Sequence, residues 1–360
     1  MRVAPFALGY AYAIVVALGL AYGGAWTLAP AILTFVVLPV LDAFVGVSWW
    51  NPNADDEARL RADLGFRILT WAWVPVGLTL TILALGAFAD PARTLGERIA
   101  LAAGVGLMNG VVGITYAHEL VHQPARFEQF LGEVLLTMVS YPHFRVEHVF
   151  GHHKHVGTPR DPATSRRGES FYAYFARTVP GQARSAWQLE RERLVRGSKP
   201  AWRNRLVWYA CALAAVYAAI VFVFGGAATA LFALQSIVAF ASLEVVNYVE
   251  HYGLARREVV PGRYEPAAPR HSWNAGNRVS NWVLINLARH SDHHAVASRR
   301  YQLLRTYDGA EAPQLPYGYG SMFLLALVPP LWFRVMNPRL NLLAISQESA
   351  SSAFVHEILA

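Results

Sequence analysis

The sequence predicts an all-α integral membrane protein: six transmembrane helices with a histidine-rich helical cap on the cytoplasmic side. Three observations predict it. The 360 residues are 54% hydrophobic and only 15% charged, whereas an average soluble domain is roughly 25% charged. Six stretches (4–22, 26–46, 68–89, 99–117, 206–225 and 228–247) are apolar over a length suited to a spanning helix, which needs about 20 such residues. Four histidine-bearing segments lie at or just beyond the ends of apolar stretches.

The chain reads as one integrated unit with four successive parts. Residues 1–117 hold spans one to four. The first apolar run outlasts a signal-peptide core and lacks a small-residue cleavage site, so it is expected to stay as a helix. Gly23-Gly24 joins spans one and two in a tight turn. Residues 118–205 carry histidine boxes and interfacial helices, and residues 206–250 hold spans five and six, turned at Gly225-Gly226. Residues 251–360 complete the cap with a third histidine box and a tail. Within it, Met322 to Trp332 is too short to span and is broken by Pro329-Pro330, so it is expected in the interface or against the cap. Segment 170–195 mixes Phe171, Tyr172, Tyr174 and Phe175 with Arg177, Arg184, Arg191 and Arg193. It reads as an interfacial amphipathic helix rather than a nucleic-acid surface.

Charge sets the orientation. Of 31 Lys and Arg residues, 14 fall in 118–205 and 11 in 251–360, while Arg93 and Arg98 are alone in the opposite loops. The positive-inside rule then puts both termini and all four histidine segments in the cytoplasm. The formal net charge of +7 is topological on this reading, and no nucleic-acid partner is expected. The one cysteine, Cys211, is expected to be a small buried apolar residue. One cysteine excludes a disulfide framework, a thiolate zinc site and an iron–sulfur or rubredoxin-like domain within this sequence. Asp42 is a charge inside the second span, either functional or a structural hydrogen-bonding group.

The histidines carry the chemistry. They stand as His118-Glu119-Leu120-Val121-His122, Glu147-His148-Val149-Phe150-Gly151-His152-His153, Glu250-His251 and His290-Ser291-Asp292-His293-His294, nine of the 13 in the chain. Imidazole is a ligand for iron, copper, nickel and zinc, and nine are too many for one ion. Residues four apart share a helix face, as do His118 with His122, His148 with His152, and His290 with His294. Adjacent histidines such as His152 and His153 point about 100° apart, so they can serve different ions or two sides of one. Two ions with four to five imidazoles each use all nine and leave open positions for oxygen chemistry. Two divalent ions add about +4, so carboxylates are expected close by, with Glu119, Glu147, Glu250 and Asp292 as candidates. His143 and His155 fall outside the helical spacing and are expected to support the site. His271 and His356 are expected to be non-ligands.

Two other readings compete. His118-Glu119-Leu120-Val121-His122 also spells a zinc-protease signature with Glu119 as general base. That reading leaves about six clustered histidines unexplained. A metal transporter would place its ligands near the bilayer midplane, not at helix ends.

The ordered segments resemble the membrane-bound alkane 1-monooxygenase family, non-haem di-iron enzymes of the wider membrane desaturase and hydroxylase superfamily. Asn247-Tyr248-Val249-Glu250-His251-Tyr252-Gly253 is the most specific match, since general desaturases lack it. Thr158-Pro159-Arg160-Asp161-Pro162-Ala163, His271-Ser272-Trp273-Asn274, Ala312-Pro313-Gln314-Leu315-Pro316 and Pro329-Pro330-Leu331-Trp332 are also similar to family segments. Departures are small: Gln123 stands where a basic residue is commoner and Thr164 where serine is usual.

The resemblance implies two iron ions held by His118, His122, His148, His152, His153, His251, His290, His293 and His294, with Asp161 added to the supporting acids. It implies O2-dependent terminal hydroxylation of medium-chain n-alkanes taken from the lipid bilayer. Electrons would come from an external rubredoxin and its reductase, in a bacterial inner membrane. A xylene-type or fatty-acyl hydroxylase would have the same centre. The basic cap suits an acidic donor, and the positive-inside rule explains it equally well.

Overall fold

A computed structural model describes residues 1–343; His356 lies outside the described residues. The helices are α1 (Ala4–Tyr22), α2 (Gly24–Val45), α3 (Ala54–Ala62), α4 (Gly65–Ala89) and α5 (Leu95–Val121). Next come α6 (Arg126–Met138), α7 (144–155), α8 (Phe171–Arg196) and α9 (Arg205–His251). The cap is completed by α10 (Arg278–Val283), α11 (His290–Ala295), α12 (Tyr319–Ala326) and α13 (Pro329–Leu343). A two-stranded antiparallel hairpin, β1 (Glu258–Val260) and β2 (Arg263–Tyr264), projects between α9 and α10.

The fold is all-α, and it crosses the membrane several times. Five helices among the described residues are long and apolar enough to span: α1, α2, α3 continued by α4, α5 and α9. The 47 residues of α9 would measure about 70 Å unbroken at about 1.5 Å per residue, over twice the bilayer core. Gly225 resolves this. Its φ of 81° and ψ of 176° leave the helical region and split α9 into two arms, a conformation that glycine adopts without a Cβ penalty. The two arms match the predicted spans five and six. The first arm is lipid-facing, and there Cys211 is exposed rather than buried. In that setting a small apolar side chain needs no protein around it.

The bundle is built around α5, whose most apolar window is 78% buried. Gly106 and Gly110 let α9 approach: a Cβ at Gly110 would stand 2.8 Å from the Ala239 carbonyl oxygen. Small residues permit such close helix contact inside a membrane. At the same crossing Asn109 Nδ2 donates to Thr81 Oγ1 at 3.2 Å and to Gln235 Oε1 at 3.1 Å. Gln235 in turn donates to the Met138 carbonyl at 2.8 Å, which fixes α6 to the same seam. Both helices that bear histidines at their ends, α5 and α9, are thereby locked in register.

Asp42 is used structurally. Its carboxylate accepts the Ser280 backbone N–H at 2.9 Å and the Ser280 hydroxyl, tying α2 to α10. The apolar stretch near Met322 forms α12 and α13, which meet at 119°. Met322, Ala326 and Trp332 from this bend are buried in a cluster with Tyr248 and Tyr252 of the α9 end. Segment 170–195 is the single helix α8, with Tyr174, Thr178, Gln182, Ala186 and Glu190 buried and Tyr172, Trp187 and Val195 exposed. The four-residue repeat of buried positions makes one continuous stripe, as expected for an amphipathic helix.

Candidate metal centre

Four helices bring the histidines together. His118 lies in the last turn of α5 and His122 caps it, His148, His152 and His153 lie on α7, and His251 ends α9. His290, His293 and His294 lie on the short α11. The nine fall into two groups, His118, His122, His148, His153 and His293, and His152, His251, His290 and His294. Within each group one ring nitrogen from every residue lies within 4.8 Å of all the others.

The sorting is not what i, i+4 spacing alone would give. His148–His152 is a π-helical turn, and the His153 backbone N–H reaches the His148 carbonyl five residues back. The wider turn aims His148 and His153 into one group and sends His152 to the other. On α11 the ordinary helical spacing keeps His290 and His294 together, while His293 crosses to the first group. Each adjacent pair, His152–His153 and His293–His294, is therefore divided between the two groups.

The nitrogens converge. His118 Nε2 lies 2.7 Å from His148 Nε2, His148 Nε2 lies 3.1 Å from His153 Nε2, and His153 Nε2 lies 2.9 Å from His293 Nε2. In the second group His290 Nε2 stands 3.1 Å from His251 Nε2 and 2.9 Å from His294 Nε2. Bonds of about 2.1 Å from one ion to neighbouring imidazoles set those nitrogens about 3 Å apart. Burial, followed by the charge of neighbouring imidazoles, holds His148, His153, His290, His293 and His294 well below the usual histidine range. Burial takes His122 down to about 3. The rings are thus neutral, with lone pairs available, the form in which imidazole binds a metal.

One contact fixes a tautomer. His152 Nδ1 donates to Asp161 Oδ2 at 2.9 Å, and Asp161 also accepts the Thr164 hydroxyl at 2.6 Å and the Ala163 N–H at 2.9 Å. His152 Nε2 is then a bare, buried nitrogen with no hydrogen-bond partner. A carboxylate behind an imidazole is the usual support for a metal ligand. The donor set therefore fits cations in both groups.

The other acids go to different places. Glu250 accepts the Tyr319 hydroxyl at 2.8 Å through Oε1 and keeps Oε2 3.3 Å from His290 Nε2. Asp292 instead binds Arg299 at 2.6 Å, the Arg305 N–H at 2.9 Å and the Tyr307 hydroxyl at 3.0 Å, which holds the loop after α11. Glu119 receives Gln123 Nε2 at 3.0 Å and lies 3.7 Å from Arg300. Glu147 receives the Ser185 hydroxyl at 3.2 Å, and burial with the nearby Asp161 charge pushes its carboxyl well up. His143, His155 and His271 belong to neither group. His271 is buried, accepting the Ala268 N–H at 2.9 Å and facing Glu265 at 3.2 Å.

Comparison with known proteins gives the same direction. Residues 98–326 match the fatty acid desaturase family. The chain is 43% identical over 329 residues to alkane 1-monooxygenase 2 of Pseudomonas aeruginosa, covering 90% of this chain and 86% of that one. It is 38% identical to an alkane 1-monooxygenase of Acinetobacter baylyi, over 86% and 75% of the two chains. The hydroxylase component of a Pseudomonas putida xylene/toluene monooxygenase is 28% identical, over 90% and 85%.

This chain belongs to the alkane 1-monooxygenase family.

Beside the histidines, among the described residues, lies an apolar cavity. It has His118 and Glu250 in its wall, together with Leu284 and Leu287 of the cap, and reaches Tyr12 and Thr34 in the first two spans. Its atom-free space, part of it open to the surroundings, is about 800 Å³. Tyr319, which lines it and holds Glu250, had no signal in the sequence: it lies 69 residues from its partner. The same holds for Arg300, which clamps Glu128 at 2.8 Å across 172 residues.

Proposed function

We propose that the protein hydroxylates the terminal methyl of medium-chain n-alkanes, giving 1-alkanols, at a non-haem di-iron centre on the cytoplasmic face of a bacterial inner membrane. The balanced reaction takes alkane, O2, two electrons and two protons to alkanol and water. An external rubredoxin, reduced by its reductase, is the electron donor on this reading. His118, His122, His148, His153 and His293 would hold one iron, and His152, His251, His290 and His294 the other. When bound, the irons supply the oxygen activation and C–H cleavage that no side chain can perform.

The observation that carries the reading is an apolar cavity with His118 and Glu250 in its wall, beside both histidine groups. An alkane has no polar handle, so shape must orient it. Leu284 and Leu287 flank the chain near the histidines and exclude water. Asp161 orients His152, and Tyr319 keeps Glu250 turned toward His290. Glu119 faces Gln123 and Arg300, which argues against its service as the general base of a protease.

Product analysis from membranes given n-alkanes from pentane to hexadecane, xylene and a fatty acid tests the substrate class. Terminal alcohols from the alkanes alone are expected. Methyl hydroxylation of xylene in preference to alkanes would favour the xylene-type reading. The same membranes with the donor omitted and rubredoxin restored test the electron source.

A further inference from the structure

We propose that the basic groove between the C-terminal half of α8 and the start of α9 binds the phosphate headgroup of an anionic phospholipid. Residues 191–205 contain six basic side chains, Arg191, Arg193, Arg196, Lys199, Arg203 and Arg205, against a single acid, Glu192. A run of four to eight Lys or Arg beside a spanning helix is the sequence mark of anionic-lipid recognition. The positive-inside rule explains why such residues are numerous here; it does not explain a shaped site.

The site is shaped. Phe150, Arg193, Lys199, Trp202, Arg203 and Trp208 line one pocket, and Phe150, Arg193 and Arg205 continue into a roomier one that also reaches Arg160. Its wall is stiff: buried Glu190 takes two hydrogen bonds from Arg193, at 2.9 and 2.8 Å, and the Arg205 N–H at 3.0 Å. Arg193 also donates to the Arg203 carbonyl at 2.8 Å. Arg205 Nε also donates to Glu190 at 2.8 Å, so one carboxylate serves two guanidinium groups. Among the described residues, no carboxylate lies within 4.0 Å of Lys199 or Arg203, so their charge remains for a ligand.

The level of the groove selects a lipid over a soluble anion. Trp208 lies one turn into the spanning arm of α9 and is 60% exposed, and Trp202 beside it is 61% exposed. Trp208 Nε1 is fixed to the Trp202 carbonyl at 2.9 Å. Tryptophans of this kind sit at the headgroup level of a bilayer. Arg203 lies 5.1 Å over the Trp202 ring, and Arg205 lies 5.1 Å over the ring of Phe150. Cations and aromatic rings therefore meet where a headgroup joins its acyl chains. The inference does not depend on the activity proposed above.

The test uses the whole chain in vesicles of phosphatidylcholine mixed with phosphatidylglycerol, with retained phosphatidylglycerol counted by mass spectrometry after extraction in mild detergent. Selective retention is expected. Lys199→Ala with Arg203→Ala should weaken it about thirty-fold, from the usual worth of a basic residue at an anionic membrane. The charge-keeping pair Lys199→Arg with Arg203→Lys should retain it, which separates ligand loss from misfolding. The pair Arg257→Ala with Arg263→Ala, on the hairpin and in the wall of neither pocket, should leave it unchanged. Equal loss in the hairpin pair, or none in the groove pair, overturns the proposal. Displacement by millimolar inorganic phosphate would assign the site to free phosphate instead. Displacement by reduced donor protein would assign it to that partner.

Discussion

At the scale of single residues, the centre depends on side chains that hold imidazoles in one tautomer. Asp161 does this for His152, with both oxygens already engaged by Thr164 and Ala163. Asp161→Ala removes the acceptor and frees the ring to rotate or to carry its proton on Nε2. Metal affinity of the second group should fall about 10- to 100-fold. Asp161→Asn keeps an acceptor oxygen and should lose less. Metal analysis of the purified variants, with circular dichroism to show intact helices, checks the order. Equal metal content in all three proteins would remove Asp161 from this role. Asp161 was legible only as part of a familiar segment. Its target was not, because nothing local says which of nine rings faces it. The same limit applied to Glu119 and Asp292: adjacency to a histidine in sequence turns a helical side chain about 100° away, toward Gln123 in one case and Arg299 in the other.

At the scale of elements, the spans were readable because hydrophobic length is a local property, and Gly225 marked the break in α9 in advance. The π-turn in α7 was not readable. Its effect is a difference of one residue in ring placement, too small for the hydrophobic pattern to record. Cys211 failed for a related reason: apolar character does not distinguish a lipid-facing surface from a protein interior. The joint between α8 and α9 offers a pH test. Burial alone would raise the Glu190 carboxyl, but hydrogen bonds from Arg193 and Arg205 hold it down at about 2. An unfolded chain takes up this proton near pH 4.5. The joint is therefore fully stabilised above that pH and loses its contribution as pH falls toward about 2. Glu190→Gln should be less stable at neutral pH, and its stability should change less across this window. Thermal inactivation midpoints measured between pH 6 and pH 3 on both proteins follow the difference. Identical slopes would mean that this pair does not couple the two helices.

At the scale of the whole molecule, membrane helices and the cap line an apolar cavity between them, with His118 of the first histidine group in its wall. An alkane already dissolved in the bilayer gains little from leaving it, so on the proposed reading the cavity acts by its shape rather than by affinity. Each methylene that finds apolar wall gains about 0.8 kcal/mol against water, but the bilayer already supplies most of that gain, so fit to the wall decides. Tyr12 and Thr34, whose hydroxyls are bonded to each other at 2.7 Å across α1 and α2, line the same cavity from the first two spans. Leu287 lines the cavity three positions before His290 and is only half-buried. Leu287→Trp should fill the space nearest the histidines without disturbing α11. Metal content should match the unaltered protein, while the longest alkane hydroxylated becomes shorter by a few carbons and short chains keep most of their rate. A uniform loss across all chain lengths at full metal content would place the substrate elsewhere, and loss of metal would show that Leu287 supports α11 rather than the alkane.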